Sequence, residues 1–348
     1  MIAELLLEIG TEEIPSNYLE QGLGELKRLA EAYLEKNRIK TEGGLFVYGT
    51  PMRLVLIGKG ISKTQADLVQ EVTGPPKNVA YDEDGRPTKA ALGFAQKQGV
   101  SIKDLEFTVT PRGEYLSIRR RIAGRPTGEV LTDALPKLIA DIPWPKSMRW
   151  GRVDFPFVRP IQWVLAIFDG KTIPFEVAGV TSNNTTRGHR FMAPDEIEIS
   201  NVQDYTEKLK GSFVLIDQQE RESVVKKVAG EAARTVGGVP IQDPELVTTV
   251  ANLVEYPSAV CGSFDQAFLA LPVPVLITAM KEHQRYFAVY DSKGRLMPNF
   301  VGVNNTNARD ETVVRRGHER VLRARLSDAD FFFREDLKRP LEDRIEAL

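Results

Sequence analysis

The sequence predicts an α+β protein of more than one domain, with antiparallel or mixed sheets, packed helices and a helical C-terminal segment. Three observations carry that prediction. Apolar runs come in pairs around turn residues, as at 164–168 and 172–177 on either side of Asp169-Gly170, a hairpin signal. Elsewhere apolar residues recur at three- and four-residue steps, as in Val224, Val225, Val228, Ala229, Ala232 and Val236, which is a helical period. Finally, 348 residues with 42% hydrophobic content can bury more than one core.

Taken in order, residues 3–9 alternate, with Ala3, Leu5, Leu7 and Ile9 on one face and Glu4, Leu6 and Glu8 on the other, as a strand does. A turn through residues 10–15 leads to a helix that Ser16 is expected to cap. Leu19, Leu23, Leu26, Ala30, Tyr33 and Leu34 hold its period, although Gly22 and Gly24 each cost it about 1 kcal/mol. Asn37 and the Gly43-Gly44 pair end it. Strands at 45–49 and 53–58 follow across Thr50-Pro51-Met52. From 61 to 112 the signals weaken to an irregular, partly basic insertion with a break at Gly74-Pro75-Pro76, a turn at 82–85 and a short helix at 89–98. Residues 115–122 form a strand with Leu116, Ile118 and Ile122 inward and Arg119 and Arg121 outward, and Thr127 caps a helix over 128–140.

Beyond residue 200, Asp217 and Glu220 have capping-box spacing ahead of a helix that Gly237-Gly238 terminates. Asp243 caps another helix, reaching about Leu253, and residues 272–283 form a third. The runs 285–290 and 299–303 make a hairpin around Asp291-Ser292-Lys293-Gly294. From Asn307 onward the composition is helical, with Arg315, Arg316, Arg320, Arg323 and Arg325 in eleven residues that hold one acid, Glu319; this spacing predicts one basic face rather than a continuous stripe. The run 337–348 reads as a helix cut mid-course, so the chain reads as a fragment. The divisions expected are 1–62, 63–145, 146–306 and 307–348.

Positive charge gathers in residues 146–192, where seven Lys or Arg face three acids in a chain of net charge -2. Trp150, Phe155, Phe157, Trp163 and Phe191 are interleaved with them, and a guanidinium beside an aromatic ring suits both the phosphates and the bases of RNA. Arg149, Arg152, Arg159, Arg187, His189 and Arg190 are the candidate contacts here. Equally open is a loop-rich segment whose arginines pair with distant carboxylates, and a His189 that is hydrogen-bonded inside a turn. Lys281, Arg285, His283 and Tyr286 cluster at a helix-to-strand junction, a common setting for a site, though a lone histidine there is more often structural; Lys281, Arg285, Arg323 and Arg325 complete the candidates.

Other chemistry is not signalled. No Walker-type or dinucleotide glycine loop is present, and no Gly-x-Ser-x-Gly elbow marks a nucleophile, so no catalytic residue is nominated. One cysteine and three histidines leave little material for a metal site, and none is nominated. Glu12 and Glu13 close the first strand, where such a pair either does acid–base work or, more often, starts a helix by complementing its dipole. The N-terminus lacks a basic region and its apolar run is interrupted by carboxylates, so no signal peptide, no membrane association and a cytoplasmic location are expected.

Several stretches together resemble the β subunit of bacterial glycyl-tRNA synthetase. They are Leu5-Leu6-Leu7-Glu8-Ile9-Gly10-Thr11-Glu12-Glu13-Ile14-Pro15, Lys146-Ser147-Met148-Arg149-Trp150-Gly151, Phe157-Val158-Arg159-Pro160, Arg187-Gly188-His189-Arg190-Phe191-Met192, Pro298-Asn299-Phe300 and Arg323-Ala324-Arg325-Leu326-Ser327-Asp328-Ala329-Asp330-Phe331-Phe332-Phe333. They span nearly the whole chain in family order. Two positions depart: Met52, where the family commonly has arginine, and His318, where it has asparagine. The resemblance implies an α2β2 ligase joining glycine to tRNA(Gly), in which the α subunit carries the adenylate-forming site with ATP and Mg2+, and the β subunit binds and places the tRNA without a cofactor of its own. It also implies a partial likeness to the editing-domain fold of the phenylalanyl-tRNA synthetase β chain. An editing hydrolase acting on mischarged tRNA and a structural scaffold for the catalytic subunit are the alternatives. Editing is disfavoured because a pocket for glycine excludes larger amino acids sterically.

Overall fold

The computed structural model describes residues 1–338; residues 339–348, which hold most of the helical run expected at 337–348, lie outside the described residues. The N-terminal half is built on a five-stranded antiparallel sheet. Strand β1 (Ile2–Thr11) leads through helix α1 (Ser16–Lys36) to β2 (Thr41–Thr50) and β3 (Arg53–Ser62), which pair as a hairpin across Pro51-Met52. The chain then leaves the sheet for β4 (Leu68–Pro76), α2 (Lys77–Ala80), α3 (Lys89–Gln98), β5 (Glu106–Thr110), β6 (Gly113–Ile122) and α4 (Thr127–Ala140). A hairpin of β7 (Met148–Trp150) and β8 (Val153–Phe157) precedes β9 (Ile161–Phe168) and β10 (Lys171–Thr172), which return to the sheet and give the order β10-β9-β1-β3-β2.

Strand β1 is therefore central, held between β3 and β9. Its alternation buries both faces. Leu5, Leu7 and Ile9 pack under α1 and α4, while Leu6 joins Val55, Ile57, Leu165 and Ile167 against Tyr205 and Leu209. These last two belong to α5 (Val202–Gly211), reached through β11 (Glu176–Val177), β12 (Val180–Thr181), β13 (Thr185–Arg187) and β14 (Glu196–Glu198).

The second half surrounds a four-stranded sheet. Helix α6 (Gln218–Arg234), β15 (Val239–Pro240), α7 (Pro244–Ala251), β16 (Ser258–Ser263), α8 (Val273–Gln284), β17 (Phe287–Tyr290), β18 (Leu296–Asn304) and α9 (Glu311–Leu337) follow in order, and the strands align as β15-β17-β18-β16. Phe287, Val289 and Val301 face α6 and α7, whereas Tyr286, Ala288 and Phe300 face α8 and α9. Two flanking helices on each side leave the sheet covered on both faces.

Several local expectations are corrected. Ser16 and Thr127 do not cap: the N-cap residues are Pro15 and Pro126, whose rings have no acceptor, and the Thr127 hydroxyl donates instead to the Ser62 carbonyl at 2.6 Å. Gly43-Gly44 does not end α1, which stops at Asn37, but sits in β2 at a bulge where Gly44 takes φ 83°. The segment after residue 61 is not irregular: β4-β6-β5 form a sheet backed by α2 and α3 around Ala80, Ala91 and Leu116. Its edge strand β4 is largely exposed, which erases the period-two signal, and for the same reason Ile122, expected inward, is half exposed at the end of β6. Asp217 and Asp243 do cap, accepting from backbone N–H groups of α6 and α7. Glu220, however, turns away from the box to bind Lys210.

Candidate functional site

Where β1 ends, the chain passes through Gly10, Thr11, Glu12 and Glu13, and β9 and β13 bring Trp163 and Arg187 to the same place. The approach is close. A Cβ on Gly10 would sit inside the Trp163 indole, and one on Gly188 would collide with the Ala193 carbonyl, so both positions require glycine for space. A cleft of about 270 Å³ opens here, lined by Glu12, Arg53, Gln162, Trp163, Arg187 and Arg190 among others.

Its floor is a buried ion network. Arg53 is 1% exposed and donates to Glu8 at 2.9 Å, to Glu255 at 3.0 Å and to the Arg187 carbonyl at 2.8 Å. Glu255 also accepts from the Thr50 hydroxyl at 2.6 Å. Burial raises the Glu8 carboxyl above its ordinary range, opposed by the Arg53 charge. Burial works to lower the Arg53 guanidinium, but Glu255 and Glu8 outweigh it and the group is raised, fixing its charge. Tyr205 approaches Glu8 and is pushed well above the usual tyrosine range, by burial first and then by that carboxylate. The second oxygen of Glu8, the Trp163 Nε1 and the Tyr205 hydroxyl meet without hydrogen-bond geometry, so the network is charged yet incompletely satisfied. Nearby, Arg221 is also buried, donating to the carbonyls of Gly49, Leu215 and Ala251, and burial lowers it to about 10.

Around this floor the arginines stack and pair. Two guanidinium groups lie over the Trp163 ring, Arg53 at 5.4 Å and Arg187 at 5.3 Å from the ring centre. Arg187 reaches Glu196 at 3.6 Å, and Arg190 reaches Glu12 at 3.5 Å and Glu13 at 3.4 Å. Glu12 and Glu13 thus hold an arginine; the first turn of α1 contains no acid, and their expected role at a helix start is corrected. Beside them Arg159 donates to the Glu13 carbonyl at 2.8 Å.

The remaining candidates lie elsewhere. His189 is 0% exposed: its Nδ1 accepts from the backbone N–H groups of Phe191 and Met192, which places the proton on Nε2, facing Asn305 at 3.2 Å. A ring so enclosed has no face for RNA, and His189 is corrected to a turn-holding residue. Arg149 pairs with Asp154 at 2.8 Å on the β7–β8 hairpin, where Arg152 is exposed and has no ion-pair partner among the described residues. Lys281 binds Asp243 at 2.7 Å and Glu245 at 3.3 Å, and Arg285, in the left-handed conformation at the end of α8, binds Glu282. Arg323 and Arg325 are exposed on α9. The candidates thus form no single cluster; the structure brings together Arg159, Arg187 and Arg190. Glu8, Arg53 and Glu255 were not nominated, although Glu8 and Arg53 are isolated charges beside apolar runs, a usable signal.

Among the described residues no group of three His, Cys, Asp or Glu side chains could hold a metal ion, and no helix is long and apolar enough to cross a membrane. The family model described as glycyl-tRNA synthetase beta subunit matches residues 5–348. A protein of Syntrophotalea carbinolica named glycine–tRNA ligase beta subunit is 48% identical over all 348 residues, covering 100% of this chain and 50% of the relative. Proteins of the same name from Syntrophus aciditrophicus and Desulforudis audaxviator are 47% and 48% identical, covering 100% and 99% of this chain and 50% of each relative. The chain spans about half the length of the curated relatives it matches.

Proposed function

This chain belongs to the glycyl-tRNA synthetase beta subunit family, and on that premise we propose that it binds and places tRNA(Gly) for a ligase whose ATP- and Mg2+-dependent active site lies on a partner α subunit. The observation that carries this reading is the 48% identity, over the whole of this chain and half of the relative, with a protein named glycine–tRNA ligase beta subunit. The arginine geometry adds a physical means. Arg187 and Arg190 hold their carboxylates at 3.4–3.6 Å, longer than a tight charge-assisted contact of about 2.7–2.9 Å, so an RNA phosphate can displace them at low cost. Arg187 is meanwhile kept in place by the Trp163 ring.

The same reading extends to an α2β2 assembly working in the cytoplasm, and to a partial likeness, in the middle and C-terminal parts of this chain, to the editing-domain fold of the phenylalanyl-tRNA synthetase β chain. The test is made on the full chain co-expressed with its partner subunit: light scattering for the stoichiometry, glycine charging of tRNA(Gly), and tRNA affinity against salt. Charging that requires both chains, with affinity lowered in Arg187→Gln/Arg190→Gln, supports the proposal. Charging by the partner alone, or tRNA binding that does not need this chain, defeats it. Release of alanine from alanyl-tRNA(Gly) above the buffer rate would replace it with hydrolysis, and copurification with the partner without RNA contact would reduce this chain to a scaffold.

A further inference from the structure

Helix α9 carries Arg316, Arg320 and Arg323 at steps of four and three residues, which places them on one flank. All three are exposed, and none has an ion-pair partner among the described residues. Like charges at this spacing disfavour a helix, and here no carboxylate relieves them. Glu319, the one acid within 315–325, is committed to the N–H and hydroxyl of Ser263. Farther along, Asp330 is neutralised by Arg334. An adjoining side of the helix is anchored by Leu322 and Leu326, fully buried against α8 and the sheet, so the ladder is presented rigidly. Continuing the same flank by steps of four leads to Ser327 and then Phe331, whose ring is 58% exposed.

We propose that this flank of α9 is an RNA phosphate-binding ladder, with Arg316, Arg320 and Arg323 contacting successive backbone phosphates and Phe331 offering a stacking face to an unpaired base at its end. The proposal rests on the tRNA-binding reading above and names a second surface for it. The three arginines span about 10 Å along the axis, a length over which a nucleic acid presents several charges. Unlike Arg187 and Arg190, they give up no protein partner on binding. A protein ligand would be expected to meet the ladder with acids and to cover Phe331, whereas arginines followed by an open aromatic ring match phosphate and base together.

The assembled two-subunit protein is titrated with tRNA(Gly) across a salt series. Replacing Arg316, Arg320 and Arg323 with Gln should weaken binding about 10- to 100-fold and flatten the log–log salt dependence by about two to three. The Lys triple variant should keep the slope. Phe331→Ala should weaken binding with the slope unchanged. A control removing three exposed arginines that also lack ion-pair partners, Arg112, Arg120 and Arg234, corrects for net charge and should leave the slope near wild type. Wild-type affinity and slope in the Gln triple, while wild type itself binds tRNA, would overturn the ladder and leave the tRNA-binding reading intact. A Gln triple that no longer copurifies with the partner would overturn the ladder and assign the flank to the partner subunit. Absence of tRNA binding by the wild-type assembly would remove both.

Discussion

Residues 146–192 and residues 315–325 each contain five arginines, yet the two regions use them differently. In the first, Glu12 and Glu13 come from far along the chain to Arg190, the Glu13 backbone carbonyl comes to Arg159, and Glu196 reaches Arg187 across the β13–β14 hairpin. On α9 no carboxylate arrives for Arg315, Arg316, Arg320, Arg323 or Arg325 among the described residues. Local charge excess therefore measures neither pairing nor availability. Long-range partners tie Arg159 and Arg190 into the fold and hairpin partners hold Arg149 and Arg187, while the second region is left as surface.

The largest effect is expected at the floor of the cleft. Arg53→Met strands Glu8 and Glu255 in the interior, and urea denaturation should show a loss of about 3–5 kcal/mol, against less than about 0.5 kcal/mol for Arg320→Gln. Equal losses would mean that burial and pairing do not separate Arg53 from the open arginines of α9. His189→Leu comes next. It leaves the N–H groups of Phe191 and Met192 without an acceptor, and a cost of about 1–3 kcal/mol is expected in the same assay, with tRNA affinity unchanged. Reduced affinity at full stability would return His189 to the contact surface.

The anchoring of α9 depends on pH. His318 accepts from the Tyr286 hydroxyl at 2.8 Å and faces Asn304 at 2.7 Å, tying the helix to the sheet, and burial holds its imidazole below the usual 6.5. The unfolded chain therefore takes up the proton first. Stability from this histidine is full above about pH 6.5 and is lost as pH falls from there through the depressed folded value. Denaturation midpoints between pH 5 and 7.5 should slope accordingly, and His318→Asn should flatten them; an unchanged slope would assign the effect to another group. The smallest effect belongs to Arg149→Ala, whose exposed pair with Asp154 should contribute no more than about 1 kcal/mol.

What the sequence determined by itself is local or cumulative. The hairpins around Pro51-Met52, Asp169-Gly170 and residues 291–294, the caps at Asp217 and Asp243, and the period of α6 each depend on residues a few places apart, and all are present. Family membership was legible because motifs recur in order over the whole chain. The three-stranded unit of β4, β5 and β6 was not, since exposed edge strands lose the alternation that marks a half-buried strand. Nor was the partner of any arginine in the cleft. Arg53 meets Glu8 across 45 positions and Glu255 across 202, and a Coulombic contact has no period to read. Only the packing of the second half against the first sheet decides which charges are buried together and which, along α9, remain open to a ligand.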